Sequence, residues 1–315
     1  MCKSNSGSMV PRLSSRGNVV HVWEPDVARI RDQFLDCVIY LYPDRPSAEA
    51  GKKIGGSGFL VGVESKGLPT NFWFLYAVTN KHVVKGGATT IRLTTRDGKT
   101  DVIETDERSW TDHPDGDDLS VCLISFDPMV IKFHHVPRER FLTRDIIKSL
   151  NIGPGDETFV VGRFVSHEGK QQNRPTARFG YIGQMPYEPV IQDDGFGQDS
   201  FLIEVRSIGG YSGSAVFLYI MPSALDRFVG RPQQVAGMHG EWLLGVEWGM
   251  LLNWEPVCNE RAEPVNPTTP HAMQVPINTG MMGVVPVWKL ADMLDKGPLA
   301  EHRAEVERSV LEHRK

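Results

Sequence analysis

Three residues of this chain have side chains that together can turn a serine hydroxyl into a nucleophile: Ser212, His82 and Asp118. A serine is a weak nucleophile until an imidazole removes its proton, and an acid must hold that imidazole in the correct tautomer. Ser212 lies in the run Gly210-Tyr211-Ser212-Gly213-Ser214-Ala215. Gly209, Gly210 and Gly213 permit backbone conformations closed to other residues and leave peptide N–H groups able to face a substrate. An oxyanion hole requires such donors. The same six residues also fit an ordinary tight turn between strands.

The flanking segments position these side chains. Phe201-Leu202-Ile203-Glu204-Val205 reads as a strand before Ser212, and Val216-Phe217-Leu218-Tyr219-Ile220 as a strand after it. Phe72 to Val84 reads as a buried strand ending in the polar step Thr79-Asn80-Lys81-His82. Asp112 to Ile124 reads as a polar loop entering a strand. A histidine beside an apolar run is commonly a satisfied structural residue, and Asp112 to Asp117 fit a solvated acidic turn. Taken together, the candidates arrive in the order His, Asp, Ser, each at a strand edge or turn.

That order and the surrounding motifs resemble the trypsin-like (chymotrypsin-fold) serine peptidases of the compact bacterial type. Gly56-Ser57-Gly58-Phe59-Leu60-Val61 resembles the strand opening the first barrel, and Thr79-Asn80-Lys81-His82-Val83-Val84 the histidine motif. Asp118-Leu119-Ser120-Val121 resembles the aspartate motif, which selects Asp118 over its neighbour Asp117. Gly210 to Ala215 resembles the nucleophile motif. Arg174 to Gly183 resembles a strand preceding the nucleophile loop, and Met282 to Val287 with Trp288 to Leu294 the last strand and closing helix. The resemblance covers about residues 37 to 296.

It implies an all-β fold of two six-stranded antiparallel β-barrels of the chymotrypsin type, with short N-terminal and C-terminal helices. It implies a serine endopeptidase acting through an acyl-enzyme intermediate, with His82, Asp118 and Ser212 as the triad and the N–H groups of Gly210 and Ser212 as the oxyanion hole. Leu244-Gly245-Val246-Glu247-Trp248-Gly249 resembles the strand that pairs with extended substrate, which makes Glu247, Trp248 and Gly249 substrate-binding candidates. Arg206, six residues before Ser212, is a candidate cation at the base of the specificity pocket; an arginine at a strand end can equally point to solvent. The partner implied is a peptide or protein substrate, with no metal and no other cofactor.

The departures are informative. Tyr211 stands where digestive members carry the aspartate that receives a newly cut N-terminus, and no Ile-Val-Gly-Gly start appears near the front. Activation by that cleavage is therefore not expected. Ser214 and Ala215 replace Gly and Pro.

At 315 residues, two barrels sharing an interface fit the length. The formal net charge of −5, with no long basic run, gives no electrostatic footprint for nucleic acid or an anionic membrane. Cys2, Cys37, Cys122 and Cys258 are widely spread, so no disulfide framework or zinc motif is legible; Cys37 and Cys122 fall in predicted buried strands. No signal peptide or membrane-spanning run is legible, and a cytoplasmic location is the expectation.

Residues 1–20 are expected to be a mobile segment. Residues 21–148 should hold an N-terminal helix opening at Glu24-Pro25-Asp26, the first barrel and the crossover, with Val27, Ile30, Phe34 and Leu35 packing on a barrel. Residues 149–296 should hold the second barrel and closing helix, with a loop from Gln184 to Gln198 bordering the cleft. Residues 297–315, after the Gly297-Pro298 break, read as a charged, solvated helix.

Other readings are weaker. His134 and His135 are adjacent, so in a strand they would face opposite ways and not share a metal. Gly51 to Ser57 lacks the ending of a phosphate loop. An α/β-hydrolase could pair Ser212 with Asp226 and His239 or His271, but its elbow wants Gly where Ser214 stands, and then a helix. The remaining rival is a trypsin-like barrel that serves as a regulated binding module with a latent active site.

Overall fold

Alternation of side chains along each strand explains how one sheet is buried on both faces. In the strand Val38–Tyr42, Val38, Tyr40 and Tyr42 enter a core shared with the second half of the chain, while Ile39 and Leu41 enter a separate core on the other face. The same division separates Phe59 and Val61 from Leu60, and Tyr76 and Val78 from Ala77. A period of two makes this unavoidable once both faces are covered.

The computed structural model describes residues 7–13, 19–25, 30–53, 55–68, 72–165, 169–192, 195–205, 209–220, 238, 240–259, 261 and 274–313, the first two stretches as backbone. The first half forms an eight-stranded sheet. Along its path lie Thr100–Ile103, Thr90–Thr94, Val38–Tyr42, Gly56–Glu64, Trp73–Thr79, Ser120–Ile124 and Thr111–Asp112, and the short strand Val136–Pro137 runs parallel to Gly56–Glu64. The second half is a closed six-stranded barrel of Glu157–Gly162, Thr176–Gln184, Phe201–Glu204, Gln274–Pro286, Gly240–Pro256 and Ala215–Ile220.

One of the two expected barrels is thus closed and the other is an open sheet. Its terminal strands, Thr100–Ile103 and Thr111–Asp112, are four and two residues long and do not pair with each other. The chain between them is taken up by the tight helical turn Glu107–Ser109, and Trp110 is buried there in the second core.

The halves meet through aromatic packing. Phe34, ahead of the first sheet, meets Phe217 of the barrel edge-on with centroids 5.0 Å apart, and within the barrel Phe159 stacks on Phe217 at the same separation. Phe34 sits in a short helical turn, Asp32–Cys37, so its expected packing on a barrel is observed. The segment before it differs from expectation. Gly7–Leu13 and Val19–Pro25 pair as an antiparallel hairpin where a mobile segment and a helix start were expected; Val19, Val20 and Val22 are β-branched and favour strand. Val27 lies outside the described residues.

The C-terminal helix Gly297–Glu312 follows the closing helix Val287–Asp295 and is not simply solvated. Arg303 donates to the Tyr76 hydroxyl at 2.9 Å and to Leu294 O, and Glu307 Oε1 accepts from Ser65 Oγ at 2.5 Å and Lys66 N at 3.1 Å. Two of its charged side chains therefore anchor it to the first sheet.

His134 and His135 lie outside any strand, with nearly parallel rings 5.9 Å apart, because His135 packs on Trp73. Cys37 ends the turn Asp32–Cys37 and Cys122 lies in a strand; both are buried, and burial raises both thiols above their ordinary range. Among the described residues, no helix is long and apolar enough to cross a membrane.

Candidate active site

Antiparallel register brings His82 and Asp118 together. Thr79 ends its strand opposite Ser120, which begins the neighbouring strand, so the residues after Thr79 and before Ser120 emerge at the same edge. The short helix Lys81–Lys85 then starts, and its first N–H groups have no partner within the helix. The His82 N–H donates to Asp118 Oδ1 at 2.9 Å, and His82 Nδ1 lies 2.6 Å from Asp118 Oδ2. Asn80 Nδ2 donates to the Asp118 carbonyl at 2.9 Å, which fixes the loop from the other side. The Asp118 side chain is 12% exposed and that of His82 is 51% exposed, so the acid is screened and the imidazole faces the cleft.

Asp117 is held elsewhere. Its Oδ2 accepts from His113 Nδ1 and Lys289 Nζ, both at 3.0 Å, and its Oδ1 from Gln198 Nε2 at 2.6 Å. Burial tends to raise this carboxyl, but the bonds from His113 and Lys289 and their charges outweigh it and hold it down to about 2. Gln198 also accepts the Asp118 N–H through Oε1 at 2.9 Å, so one amide orients both aspartates.

Ser212 lies on the turn before Ala215–Ile220, and Ser57 of the first sheet clamps that turn. The Ser57 N–H donates to Ser212 O at 2.8 Å, and the Ser57 hydroxyl donates to Gly210 O at 2.8 Å while accepting the Arg163 N–H at 3.0 Å. Gly213, at φ +88°, passes so close to the first sheet that a Cβ there would meet Ser57 O at 2.1 Å and Thr79 Oγ1 at 2.3 Å. Only glycine fits both the dihedral and the approach. Gly210 also has positive φ, +96°. Among the described residues, neither the Gly210 N–H nor the Ser212 N–H donates to another group, and the Ser212 hydroxyl makes no hydrogen bond to His82.

Tyr211 is fully buried, and its hydroxyl bonds Thr176 Oγ1 and accepts from Arg178 Nε at 3.0 Å. An uncharged, internally bonded side chain thus occupies the position expected not to receive a chain terminus. On the far side of the turn, the Gly213 N–H donates to Glu247 O at 2.9 Å and the Glu247 N–H to Ser214 O at 3.0 Å.

A cleft of about 790 Å³ runs past His82 and Asp118. Val190, Ile191, Gln192 and Phe196, from the loop expected to border it, line one part, and Trp248, Met250, Leu251, Leu252 and Trp254 another. Trp248 is the extra residue in a register shift between Glu247 and Gly249, a device that re-aims a side chain. Its indole donates to Ser200 Oγ at 2.6 Å, and its ring occupies the space that a Cβ on Gly283 would need.

Of the substrate-binding candidates, Trp248 lines the cleft and Gly249 pairs with Gly283. Glu247 does not present its side chain to the cleft: it is 2% exposed, because alternation along the strand sends its carboxyl inward. Arg206 lies outside the described residues, as do Asp226, His239 and His271. The strand Ala215–Ile220 after Ser212 excludes the helix that an α/β-hydrolase elbow needs. Among the described residues, no three His, Cys, Asp or Glu side chains form a metal-ligand group.

Sequence reasoning missed Ser57, Gln198 and Lys289 as site supports. Gln198 carries no local signal; it ends the cleft loop and acts 80 residues from Asp118.

No family model matches the chain, and no curated protein matches it. Solved structures similar to it include the MamO protease domain from Magnetospirillum magneticum, 14% identical, with a TM-score of 0.49 over 84% of this chain and 98% of that one. Deg5 is 15% identical, with a TM-score of 0.39 over 69% of this chain and 81% of that one. The HtrA-type protease AlgW, solved with a decapeptide, is 17% identical, with a TM-score of 0.39 over 83% of this chain and 53% of that one.

Proposed function

We propose that this chain hydrolyses peptide bonds by acyl transfer. Ser212 attacks the carbonyl, His82 takes its proton and returns it to the leaving amine, and Asp118 orients the imidazole and stabilises its charged form. The observation that carries this reading is His82 Nδ1 at 2.6 Å from Asp118 Oδ2, braced by the second bond from the His82 N–H. A carboxylate accepting at Nδ1 puts the ring proton there and leaves Nε2 as the base.

The N–H groups of Gly210 and Ser212 hold the oxyanion in this reading, on a turn whose two carbonyls Ser57 fixes. Water then attacks the acyl-enzyme with His82 again as base, which restores the serine. The apolar walls at Ile191, Phe196, Trp248, Leu252 and Trp254 suit an extended peptide with apolar side chains.

A second reading, a binding module with a latent site, has one observation in its favour: the Ser212 hydroxyl has no bond to His82 among the described residues. Such bonds are often long in the free enzyme and tighten with substrate. Treatment with a fluorophosphonate probe decides between the readings. Labelling of the parent but not of Ser212→Ala supports the peptidase; no labelling of either, with or without added peptide, supports the binding module.

A further inference from the structure

Gln198 is fully buried and ends the two-stranded ribbon formed by Val190–Ile191 and Gly197–Gln198. Its amide meets three fixed groups. Oε1 accepts from the Asp118 N–H at 2.9 Å, while Nε2 donates to Asp117 Oδ1 at 2.6 Å and to the Asp199 carbonyl at 3.1 Å. A peptide N–H only donates, and a carboxylate and a carbonyl only accept. Reversing the amide would set N–H against N–H at Asp118 and oxygen against oxygen at Asp117 and Asp199. The lock depends on the charge of Asp117. Lys289 Nζ, from the helix Val287–Asp295, and His113 Nδ1 each lie 3.0 Å from Asp117 Oδ2. They hold that carboxyl down to about 2, so at neutral pH it is an acceptor only.

The Asp118 backbone is gripped on both sides, its N–H by Gln198 and its carbonyl by Asn80 Nδ2 at 2.9 Å. With the main chain held, the carboxylate is aimed at the His82 N–H and at Nδ1. We infer that Gln198 is a positioning residue for the proposed triad acid, and that Asp117, the neighbouring acid outside the triad, sets which end of the Gln198 amide faces Asp118. Taking Oε1 away leaves a buried donor that the loop must shift to satisfy, and the shift carries the carboxylate off its line to Nδ1. The catalytic consequence rests on the triad reading above; the grip on Asp118, and through it on the bond to His82, does not.

Two variants of the intact chain test this. Gln198→Met keeps the length of the side chain and removes both ends of the clamp. Gln198→Glu keeps its shape: the introduced carboxyl copies the amide when protonated, donating to Asp117 and accepting from Asp118, and opposes Asp117 when ionised. Around it stand Asp117, Asp118 and His113 from the loop before Ser120, Asp199 beside it, and Lys289 from the closing helix. Beyond Asp118 lie His82 and, from the strand Gly240–Pro256, Glu247. These groups are common to parent and variant, so the ratio of the two isolates the introduced carboxyl. In the first arm, proton NMR follows the low-field signal of the His82 Nδ1 proton bonded to Asp118, assigned by its loss in His82→Ala. Gln198→Met is expected to move it to higher field and to speed its exchange with water; an unchanged signal overturns the inference. Where circular dichroism shows that Gln198→Met fails to fold, Gln198→Glu takes its place from about pH 5 to about pH 9. Its signal should match the parent in acid and depart as the introduced carboxyl ionises, and a match at every pH overturns the inference.

In the second arm, the rate of fluorophosphonate labelling is followed over the same pH range as a ratio of variant to parent. Gln198→Met is expected to label about ten- to a hundred-fold more slowly at every pH, the scale of a small misplacement of a catalytic group. Gln198→Glu is expected to label close to the parent rate in acid and to fall by up to about tenfold per pH unit as its carboxyl ionises. A Gln198→Met rate within about twofold of the parent, or a Gln198→Glu ratio that is flat with pH, overturns the positioning role. If the parent does not label at any pH, the peptidase reading fails and the NMR arm still decides Gln198.

Discussion

The Ser57 N–H meets the Ser212 carbonyl at 2.8 Å, so the first sheet grips the peptide that carries the candidate nucleophile. The Ser57 hydroxyl adds a bond to Gly210 O and takes one from Arg163 N. Ser57→Ala keeps the backbone bond and removes the other two. Leaving those groups unsatisfied is expected to cost about 1–3 kcal/mol each where they stay dry. The turn should also loosen, so the labelling rate at Ser212 should fall more steeply than stability does. Denaturant unfolding and probe labelling, measured side by side, check this.

The bond between Asp118 and His82 predicts the largest effect of an acid substitution. Asp118→Asn is expected to lower turnover by roughly ten-thousand-fold, the scale of a wrong tautomer in this arrangement. Asp117 cannot take over, because His113, Lys289 and Gln198 already hold it. Single-turnover labelling of the variant is the measurement; a loss of less than about tenfold would remove Asp118 from the proposed triad.

Asp117 predicts an acid-side loss of stability. Its carboxyl is held at about 2 in the folded chain against an ordinary 3.8. The stabilisation is therefore present above pH 3.8 and lost as pH falls through about 2. At ~1.4 kcal/mol per unit the contribution is about 2 kcal/mol. Asp117→Asn should remove that part of the acid limb in unfolding curves between pH 5 and pH 2, and an unchanged limb would place the proton-linked step on other groups.

Glu247 predicts the opposite slope. Its folded value is raised from 4.5 to about 8, so its favourable contribution is complete below pH 4.5 and is lost as pH rises to about 8. Glu247→Gln should therefore gain stability over the parent progressively across that window, by a few kcal/mol at most. Equal melting curves at pH 5 and pH 8.5 would contradict the burial of an acid there.

Gly213 tests the close approach of the two halves. A methyl group at this position meets Ser57 O and Thr79 Oγ1 and sits at φ +88°. Gly213→Ala is expected to destabilise by roughly 2–4 kcal/mol and to abolish labelling. Gly153→Ala, which meets nothing within 4 Å, is the control and should stay within about 0.5 kcal/mol.

The strands around the site were legible because their patterns are local. Trp73 to Thr79 and Val216 to Ile220 are apolar and β-rich over their whole lengths, and both form strands, although the first stops at Thr79 and a short helix replaces the strand expected to run on to Val84. The glycines around Ser212 marked a turn for the same reason. The open first sheet was not legible, since closure depends on whether two short terminal strands reach each other across the turn at Glu107–Ser109. The N-terminal hairpin was missed because the first strand, Gly7–Leu13, carries Gly, Ser and Pro and gives no strand pattern of its own; its pairing with the valine-rich Val19–Pro25 is what reveals it.

By itself, the sequence determined the candidate side chains, their order and the strands that carry them, because residue type and periodicity are properties of a few neighbouring positions. Only the tertiary structure decided what those side chains do to one another. Asp118 and Asp117 are adjacent and chemically identical, yet one reaches His82 and the other an ion pair with Lys289, because antiparallel pairing of Thr79 with Ser120 aims them differently. On the strand Gly240–Pro256, Glu247 is buried while the register shift at the next residue sends Trp248 to the cleft. Burial and partners set the charge of a carboxyl, and both come from segments distant in the chain.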